Sequence, residues 1–268
     1  MLCSKTELEI EVAKKRLIRQ FKHKITEKQL LEANQKIYYD FRVNQAMEII
    51  KMANKIFQGN LAVAFSGGKD SLVALHITLN VNPETPVIFN NTTVNFPETI
   101  KYVKDLQKEW GFNLYVTRHK TSFLKEVKTK GWATHENRWC CKPFKDQPAF
   151  NFLEENAIDA EITGTTRTES IYRRSLTPFR LPKKGLKIIR INPIYDWNYW
   201  EVWKYIKENK LPYNPLYDKG YRRIGCWCCP LNGPSHYRRL RKTHPKLYQF
   251  LQKFEPKHPY MMKLKKFK

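Results

Sequence analysis

The sequence Val-Ala-Phe-Ser-Gly-Gly-Lys-Asp-Ser-Leu, residues 63–72, decides the fold. An apolar run leads into two glycines, and after the second serine the apolar residues return at helical spacing. This pattern predicts a buried strand, a tight turn, and a helix whose first N–H groups and dipole bind an anion. The spacing differs from the Walker pattern, in which four residues separate the two glycines. We therefore predict a nucleotide-phosphate turn formed by Ser66, Gly67, Gly68, Lys69, Asp70 and Ser71.

The rest of the chain predicts an α/β architecture around this turn. Short apolar runs that predict strands lie at residues 61–65, 86–89, 114–116, 160–163 and 188–191, with helical patterns between them. Such alternation indicates a mostly parallel sheet with helices on both faces, and ligands bind at the carboxyl ends of its strands. Residues 5–56 show helical periodicity and no strand signal. The expected organisation is a helical N-terminal extension (1–58), an α/β domain (59–235) and a basic helical tail (236–268).

Five of the six cysteines occur in two groups. Four thiolates suit a four-iron cluster, and they also suit zinc, although zinc more often uses two C-x2–4-C pairs. Disulfides form in oxidising compartments, and the chain opens without an apolar signal segment, so we expect reduced thiols in the cytoplasm. The sequence thus leaves a cluster, zinc or unliganded thiols open for the two pairs Cys140–Cys141 and Cys226–Cys229.

Charge is the strongest feature of the composition. The chain has 49 Lys and Arg against 25 Asp and Glu, a formal net charge of +24. Such a charge attracts polyanions at low salt, and a solvated lysine-rich surface accounts for it equally well. Basic pairs near the second cysteine group are Arg222-Arg223, Arg238-Arg239 and Arg241-Lys242. The longest apolar stretch is shorter than the roughly 18 residues that span a membrane, so we expect no membrane partner.

Together these motifs resemble the phosphoadenylyl-sulfate (PAPS) and adenylyl-sulfate (APS) reductase family. This family belongs to the PP-loop, or N-type ATP pyrophosphatase, superfamily, with an adenine nucleotide alpha hydrolase-like fold. Its pattern is a PP-loop, Cys-Cys, about eighty residues, and then Cys-x-x-Cys. Similar stretches cover about residues 60–230: Phe89 to Thr99 with its Phe-Pro-Glu-Thr, Asn192 to Trp197, and Leu211 to Cys226. Asn91 stands where the family usually has Asp.

The resemblance implies reduction of PAPS or APS to sulfite and an adenosine phosphate through a cysteine thiosulfonate. It implies a [4Fe–4S] cluster on Cys140, Cys141, Cys226 and Cys229. A thioredoxin-like or other dithiol partner would supply the electrons. Beyond the PP-loop, the nucleotide would contact Asn91, Arg167, Ser170 and Arg173.

The nucleophile departs from the family pattern, which places a cysteine in a C-terminal Glu-Cys-Gly-Leu-His tail. Here no cysteine follows Cys229, and the chain ends Met-Met-Lys-Leu-Lys-Lys-Phe-Lys. Cys228 and Cys3 are the remaining thiols. We favour Cys228, since the nearby Arg222 and Arg223 are expected to lower its pKa. Lys69 would stabilise the leaving phosphate.

Two other functions remain open from the sequence. One is ATP-dependent thiolation of nucleic acid by a PP-loop iron–sulfur sulfurtransferase, which the charge and the missing tail cysteine favour. The other is a non-catalytic, cluster-bearing polyanion binder. Nucleic acid and a second copy of the chain are therefore further candidate partners.

Overall fold

The computed structural model describes residue 12 and residues 26–182 and 187–253. A long helix, α1 (Glu27–Ile56), begins in a compact unit that ends at Gln45 and finishes in a second unit that begins at Ala46. The predicted N-terminal helix is therefore present, while residues 5–25 other than Val12 lie outside the described residues. The three-part division at residues 58 and 235 stays a prediction.

The second unit contains a six-stranded sheet in the order β3-β2-β1-β4-β6-β5. Four neighbouring pairs are parallel, and only β5 runs antiparallel, at one edge. The predicted mostly parallel sheet is confirmed. β5 was not predicted, because two residues are too few to show a periodicity. The strands are β1 (Leu61–Ala64), β2 (Val87–Asn91), β3 (Leu114–Arg118), β4 (Ala160–Ile162), β5 (Phe179–Arg180) and β6 (Ile189–Ile191).

Helices connect the strands and cover the sheet on both faces. One face packs on α5 through Ala62, Ile88 and Leu153. None of the described helices is long and apolar enough to cross a membrane. The helices are α2 (Lys69–Val81), α3 (Pro97–Trp110), α4 (Phe123–Lys130), α5 (Gln147–Glu155), α6 (Tyr199–Glu208), α7 (Pro234–Thr243) and α8 (Pro245–Gln252), with a π-helical turn at Lys142–Asp146 and 3₁₀ turns at Arg167–Glu169 and Ile171–Arg173.

A separate apolar cluster lies beyond the carboxyl end of β2. It joins the β2–α3 connection to α4, to both cysteine segments and to α7 and α8. Phe96 packs edge-to-face on Tyr221 with ring centroids 5.0 Å apart, and Phe123 stacks on Trp139 at 5.5 Å. The C-terminal helices thus share a core with the cysteine segments.

Candidate functional site

The PP-loop requires a glycine at its first position. Gly67 has φ of +75°, and a Cβ there would lie 2.8 Å from Cγ2 of Thr99. Gly68 has φ of −93°, and its added Cβ would meet no atom closer than 3.4 Å. Both the left-handed backbone and the close approach of α3 therefore require glycine at position 67.

The hydroxyls of the loop bond to one another. Ser71 Oγ accepts from the Ser66 N–H at 3.2 Å, lies 3.0 Å from Ser66 Oγ, and donates to the Gly68 carbonyl at 2.9 Å. These bonds hold the turn in one conformation.

The Lys69 side chain is buried beside the loop. Its Nζ lies 2.6 Å from Asp70 Oδ1 and 5.2 Å from the ring centre of Tyr199. Asp70 is therefore an acidic partner of the predicted loop cation. A bound phosphate would have to share the Lys69 ammonium with the Asp70 carboxylate.

The ends of β4 and β6 complete the floor of the loop. A Cβ on Gly164 would lie 2.4 Å from the Asp70 carbonyl oxygen, so β4 ends in direct contact with the start of α2. Thr163 Oγ1 donates to Asn192 Oδ1 at 2.8 Å and joins the two strand ends.

Two residues that sequence reasoning missed as site residues lie over the loop. Asn214 Nδ2 donates to the Gly67 carbonyl at 3.2 Å and to Thr99 Oγ1 at 3.0 Å. The backbone N–H of Lys69 donates to the Tyr217 hydroxyl at 2.8 Å. Burial raises the pKa of Tyr217, so this hydroxyl keeps its proton and retains a donor. The sequence signal for Asn214 was the Asn-Pro turn at residues 214–215. That turn contributed to the family resemblance, but no functional role was predicted for it.

Aromatic rings line the same side of the loop. Trp203 lies edge-on to Tyr213 and Tyr217, with ring centroids 5.1 and 5.0 Å apart. Tyr199 and Trp200 form another edge-to-face pair at 5.3 Å, and Trp200 is 77% exposed.

The fold brings the two cysteine pairs to the end of β2. Cys226 bridges Asn95, and the Trp227 N–H donates to the Val94 carbonyl at 3.0 Å. The π-helical turn that follows Cys141 is held by Asn90, whose Nδ2 donates to the Phe144 carbonyl at 3.0 Å. Thr92 Oγ1 lies 3.4 Å from Cys226 Sγ. Residues of β2 and its following loop therefore hold both segments.

The thiols affect one another's ionisation. A hydrogen bond with Cys141 raises the pKa of Cys140, and the charges of Cys226 and Cys229 raise it further. The same bond lowers the pKa of Cys141. Burial raises the pKa of Cys226 to about 11. The positive charge of Lys145, a residue that sequence reasoning missed, favours the thiolate at Cys141, Cys226 and Cys229.

Four thiols that affect one another's pKa are candidate ligands for a cluster or a metal ion. Within residues 26–182 and 187–253, no three His, Cys, Asp or Glu side chains converge to hold a metal ion. Tetrahedral zinc with bonds of about 2.3 Å needs sulfurs roughly 3.8 Å apart. A four-iron cluster spaces its thiolates more widely, because each binds a different iron. Cys140, Cys141, Cys226 and Cys229 are the thiols that would have to span such a spacing.

Cys228 does not have the environment that the sequence suggested. Its side chain is 1% exposed in the apolar cluster, and burial raises its pKa well above the ordinary value. The expected lowering by Arg222 and Arg223 is therefore wrong, because desolvation of the thiolate dominates. Cys3, like the segment Met261–Lys268, lies outside the described residues.

The predicted anion-binding arginines have protein partners. Arg167 Nε donates to the Leu176 carbonyl at 2.7 Å, and its guanidinium stacks 4.6 Å from the Tyr195 ring centre. Arg173 pairs with Glu169. Asn91 Oδ1 accepts from the Thr93 N–H at 2.9 Å and so stabilises a turn. Ser170 is exposed between the two 3₁₀ turns.

The charge of Arg223 affects groups of both motifs. Burial raises the pKa of both Tyr217 and Cys229, and the positive charge of Arg223 opposes that rise at both groups. Arg223 is itself exposed. Its charge therefore acts on both the PP-loop tyrosine and the second cysteine pair.

Comparison with curated proteins finds relatives that match most of this chain. An uncharacterized protein of Methanocaldococcus jannaschii is 33% identical over 236 residues, 85% of this chain and 49% of the relative. An adenosine 5'-phosphosulfate reductase of Bacillus cereus is 33% identical over 192 residues, 69% of this chain and 80% of the relative. The chain thus spans about half the length of the first of these relatives.

Two solved structures have a similar fold. A phosphoadenylyl-sulfate (PAPS) reductase of Candida auris, solved as a phosphate complex, superposes with a TM-score of 0.57 at 25% identity, covering 77% of this chain and 98% of that one. A U34-tRNA thiolase of Methanococcus maripaludis with its [4Fe–4S] cluster gives 0.51 at 16% identity, covering 80% and 81%. The second likeness shows the fold alone.

The phosphoadenosine phosphosulfate reductase domain matches residues 60–232, which include the PP-loop and both cysteine pairs. This chain belongs to that PP-loop family.

Proposed function

We propose that the chain binds an adenylyl sulfonucleotide, PAPS or APS, and reduces it to sulfite and an adenosine phosphate. The supporting observation is that the PP-loop follows β1 while the cysteine segments are held at the carboxyl end of the neighbouring parallel strand β2, and the charge of Arg223 acts on both. The N–H groups of the loop suit a nucleotide phosphate. The names of the Bacillus and Candida proteins support the substrate class.

We assign a [4Fe–4S] cluster to Cys140, Cys141, Cys226 and Cys229. A bound cluster would clamp the two segments together and add a fixed charge beside the sulfate. Reduced thiols and such a cluster suit a reducing compartment such as the cytoplasm.

The reaction requires a thiolate that attacks the sulfate sulfur. A sulfur–sulfur bond forms, the bond from sulfur to the phosphate oxygen breaks, and the electron pair leaves with the adenosine phosphate. Lys69 and the loop N–H groups stabilise that phosphate. A dithiol donor then attacks the protein sulfur of the thiosulfonate, and sulfite leaves with the electron pair of the broken sulfur–sulfur bond. The donor's second thiol breaks the resulting mixed disulfide, which frees the protein thiol and leaves the donor as a disulfide.

The environments of the thiols decide which of them can attack the sulfate sulfur. The burial of Cys228 and its raised pKa disfavour it in its described position. We therefore assign the attack to Cys3 or to a thiol of the donor. Incubation with APS or PAPS without reductant, followed by peptide mapping, should place the added sulfonate on Cys3 or leave the chain unlabelled. Label on Cys228 would contradict this assignment.

The experiment that tests the function compares nucleotides. A ligand that binds only the native state raises the melting temperature. PAPS or APS without metal should raise it and release sulfite when a dithiol is added. The alternative, ATP-dependent thiolation of nucleic acid, is favoured by the buried Cys228. Protection by ATP with magnesium, adenylylation of nucleic acid and no sulfite would establish that alternative instead.

A further inference from the structure

The segment around the second cysteine pair, Cys226 and Cys229, is strongly basic. From Lys219 to Phe254 the chain has nine Lys and Arg and no Asp or Glu. Lysines outnumber arginines 34 to 15 in the whole chain, yet five of the arginines lie between residues 222 and 241. A lysine-rich solvated surface does not account for this enrichment, whereas arginine binds phosphate oxygens with two parallel hydrogen bonds.

Most of these cations face solvent. On α7 the inner side chains His236, Tyr237 and Leu240 are buried, while the outer ones are exposed. Lys219 pairs with Glu98 at 2.5 Å, but no ion pair with a carboxylate of the described residues neutralises the exposed cations that follow it, from Arg222 to Lys246. We call six of them the cationic strip: Arg222, Arg223, Arg238, Arg241, Lys242 and Lys246.

The strip is attached to the candidate site. Tyr221 joins the Arg222-Arg223 pair, which follows it in sequence, to the cations of α7. Its ring lies 5.5 Å from the Arg239 guanidinium, and its hydroxyl lies 2.9 Å from Thr243 Oγ1. Tyr237 donates to the Cys229 carbonyl at 2.8 Å, so α7 packs directly on the cysteine loop. The Tyr221 N–H donates to the Leu216 carbonyl at 3.1 Å and so holds the start of the strip against the turn that contains Tyr217, on which the charge of Arg223 acts.

Exposed aromatic rings lie beside the same loop. Tyr199, Trp200 and Tyr213 are 45%, 77% and 37% exposed, and we call these three the aromatic lip. Lys69 Nζ lies over the Tyr199 ring, which fixes the lip at the phosphate turn. Exposed rings of this size next to a cationic surface are what unpaired bases stack on.

We propose that the cationic strip and the aromatic lip bind a single-stranded nucleic acid and lay it across the PP-loop. The cations hold the phosphodiester backbone and the rings stack on the bases. An acidic protein would use the strip and leave the lip without a role. This surface goes beyond the reaction with a small sulfonucleotide.

The first test is a salt titration of binding to labelled single strands of about 15 nucleotides, of RNA and of DNA, by fluorescence anisotropy. The variant Arg238→Gln/Arg241→Gln/Lys242→Gln removes three exposed charges of the strip. Its log–log salt slope should be shallower by about 2, and its affinity at low salt lower by about tenfold or more. The control Lys104→Gln/Lys108→Gln/Lys128→Gln removes three exposed lysines elsewhere and should keep the affinity within about twofold.

The second test separates base stacking from charge. Trp200→Ala should weaken binding by about 5- to 150-fold with an unchanged salt slope, because it removes a ring and no charge. Circular dichroism checks the fold of each variant. Tighter binding to RNA or to DNA indicates which kind of strand the surface prefers, and both results support the proposal. Equal losses in both triple variants, binding to polyglutamate as tight as to the oligonucleotides, or no oligonucleotide binding would overturn it.

Discussion

At the residue scale, neighbouring positions of the PP-loop carry different constraints. Gly67 combines a left-handed backbone with a 2.8 Å approach to Thr99, while Gly68 has an ordinary backbone and room for a methyl group. The Lys69 N–H adjoins them and donates to Tyr217, a residue 148 positions further along the chain. The anion site therefore depends on residues that the glycine motif does not include.

Gly67→Ala should lose nucleotide binding and destabilise the protein by about 1–2 kcal/mol, because it adds a Cβ at positive φ against α3. Gly68→Ala is the matched control and should remain within about 1 kcal/mol of the parent. Urea unfolding and calorimetric titration with APS measure both effects. Equal stability of the two variants would contradict the assigned constraint.

Tyr217→Phe should raise the Kd for APS or PAPS by about tenfold or more, since it removes a hydroxyl donor next to a charged phosphate. The ring packing on Trp203 is kept. Tyr213→Phe, which loses a hydroxyl that donates to Asp218, is the control and should leave Kd nearly unchanged. Tighter binding by Tyr217→Phe would mean that its hydroxyl occupies the place of a phosphate oxygen.

At the element scale, one carboxylate ties three segments together. Glu98, in the first turn of α3, accepts from Lys219 Nζ at 2.5 Å and from His244 Nε2 at 2.7 Å. His244 lies between α7 and α8, so the bond joins the C-terminal helices to the start of α3. The Phe-Pro-Glu-Thr segment thus serves packing as well as the phosphate turn.

Burial raises the pKa of Glu98, but bonds from Lys219, its own backbone and His244 outweigh that and leave it below the ordinary value. A depressed carboxyl pKa stabilises the fold above the unfolded-state pKa of about 4.3, and this stability is lost as pH falls through the folded value. Unfolding of Glu98→Gln should therefore depend less on pH below about 4.5 than that of the parent. Glu109→Gln, an exposed site on the same helix, is the control. Parallel pH profiles for Glu98→Gln and the parent would refute this role.

At the scale of the whole molecule, the two cysteine pairs join distant parts of the chain. Cys141 and Cys226 are 85 positions apart in sequence, yet both lie at the end of β2. A group bound to both would cross-link the domain, since it closes a long loop of the unfolded chain.

Removal of the proposed cluster should lower the free energy of unfolding by an amount on the order of 4 kcal/mol, from the entropy of a loop of this length. Anaerobic purification, iron and sulfide analysis, and unfolding before and after chelation measure this. Ser variants at the four proposed ligands should lose iron, and Cys228→Ala should keep it. Full iron content in the four Ser variants, or loss in Cys228→Ala, would reject the ligand set.

The sequence by itself determined the PP-loop, the alternation of strands and helices, and the two cysteine pairs. These features are encoded locally, in short motifs and in the spacing of apolar residues. It also indicated the family through motifs over about residues 60–230, and the family model matches residues 60–232.

Only the tertiary structure decided which side chains meet. Asn214 and Tyr217 cover the loop, and Arg167 stacks on Tyr195, through contacts between residues 28 to 148 positions apart. Burial of Cys228 and its raised pKa depend on an apolar cluster drawn from several elements. Such distances and desolvation arise when distant segments pack, so no local pattern could report them.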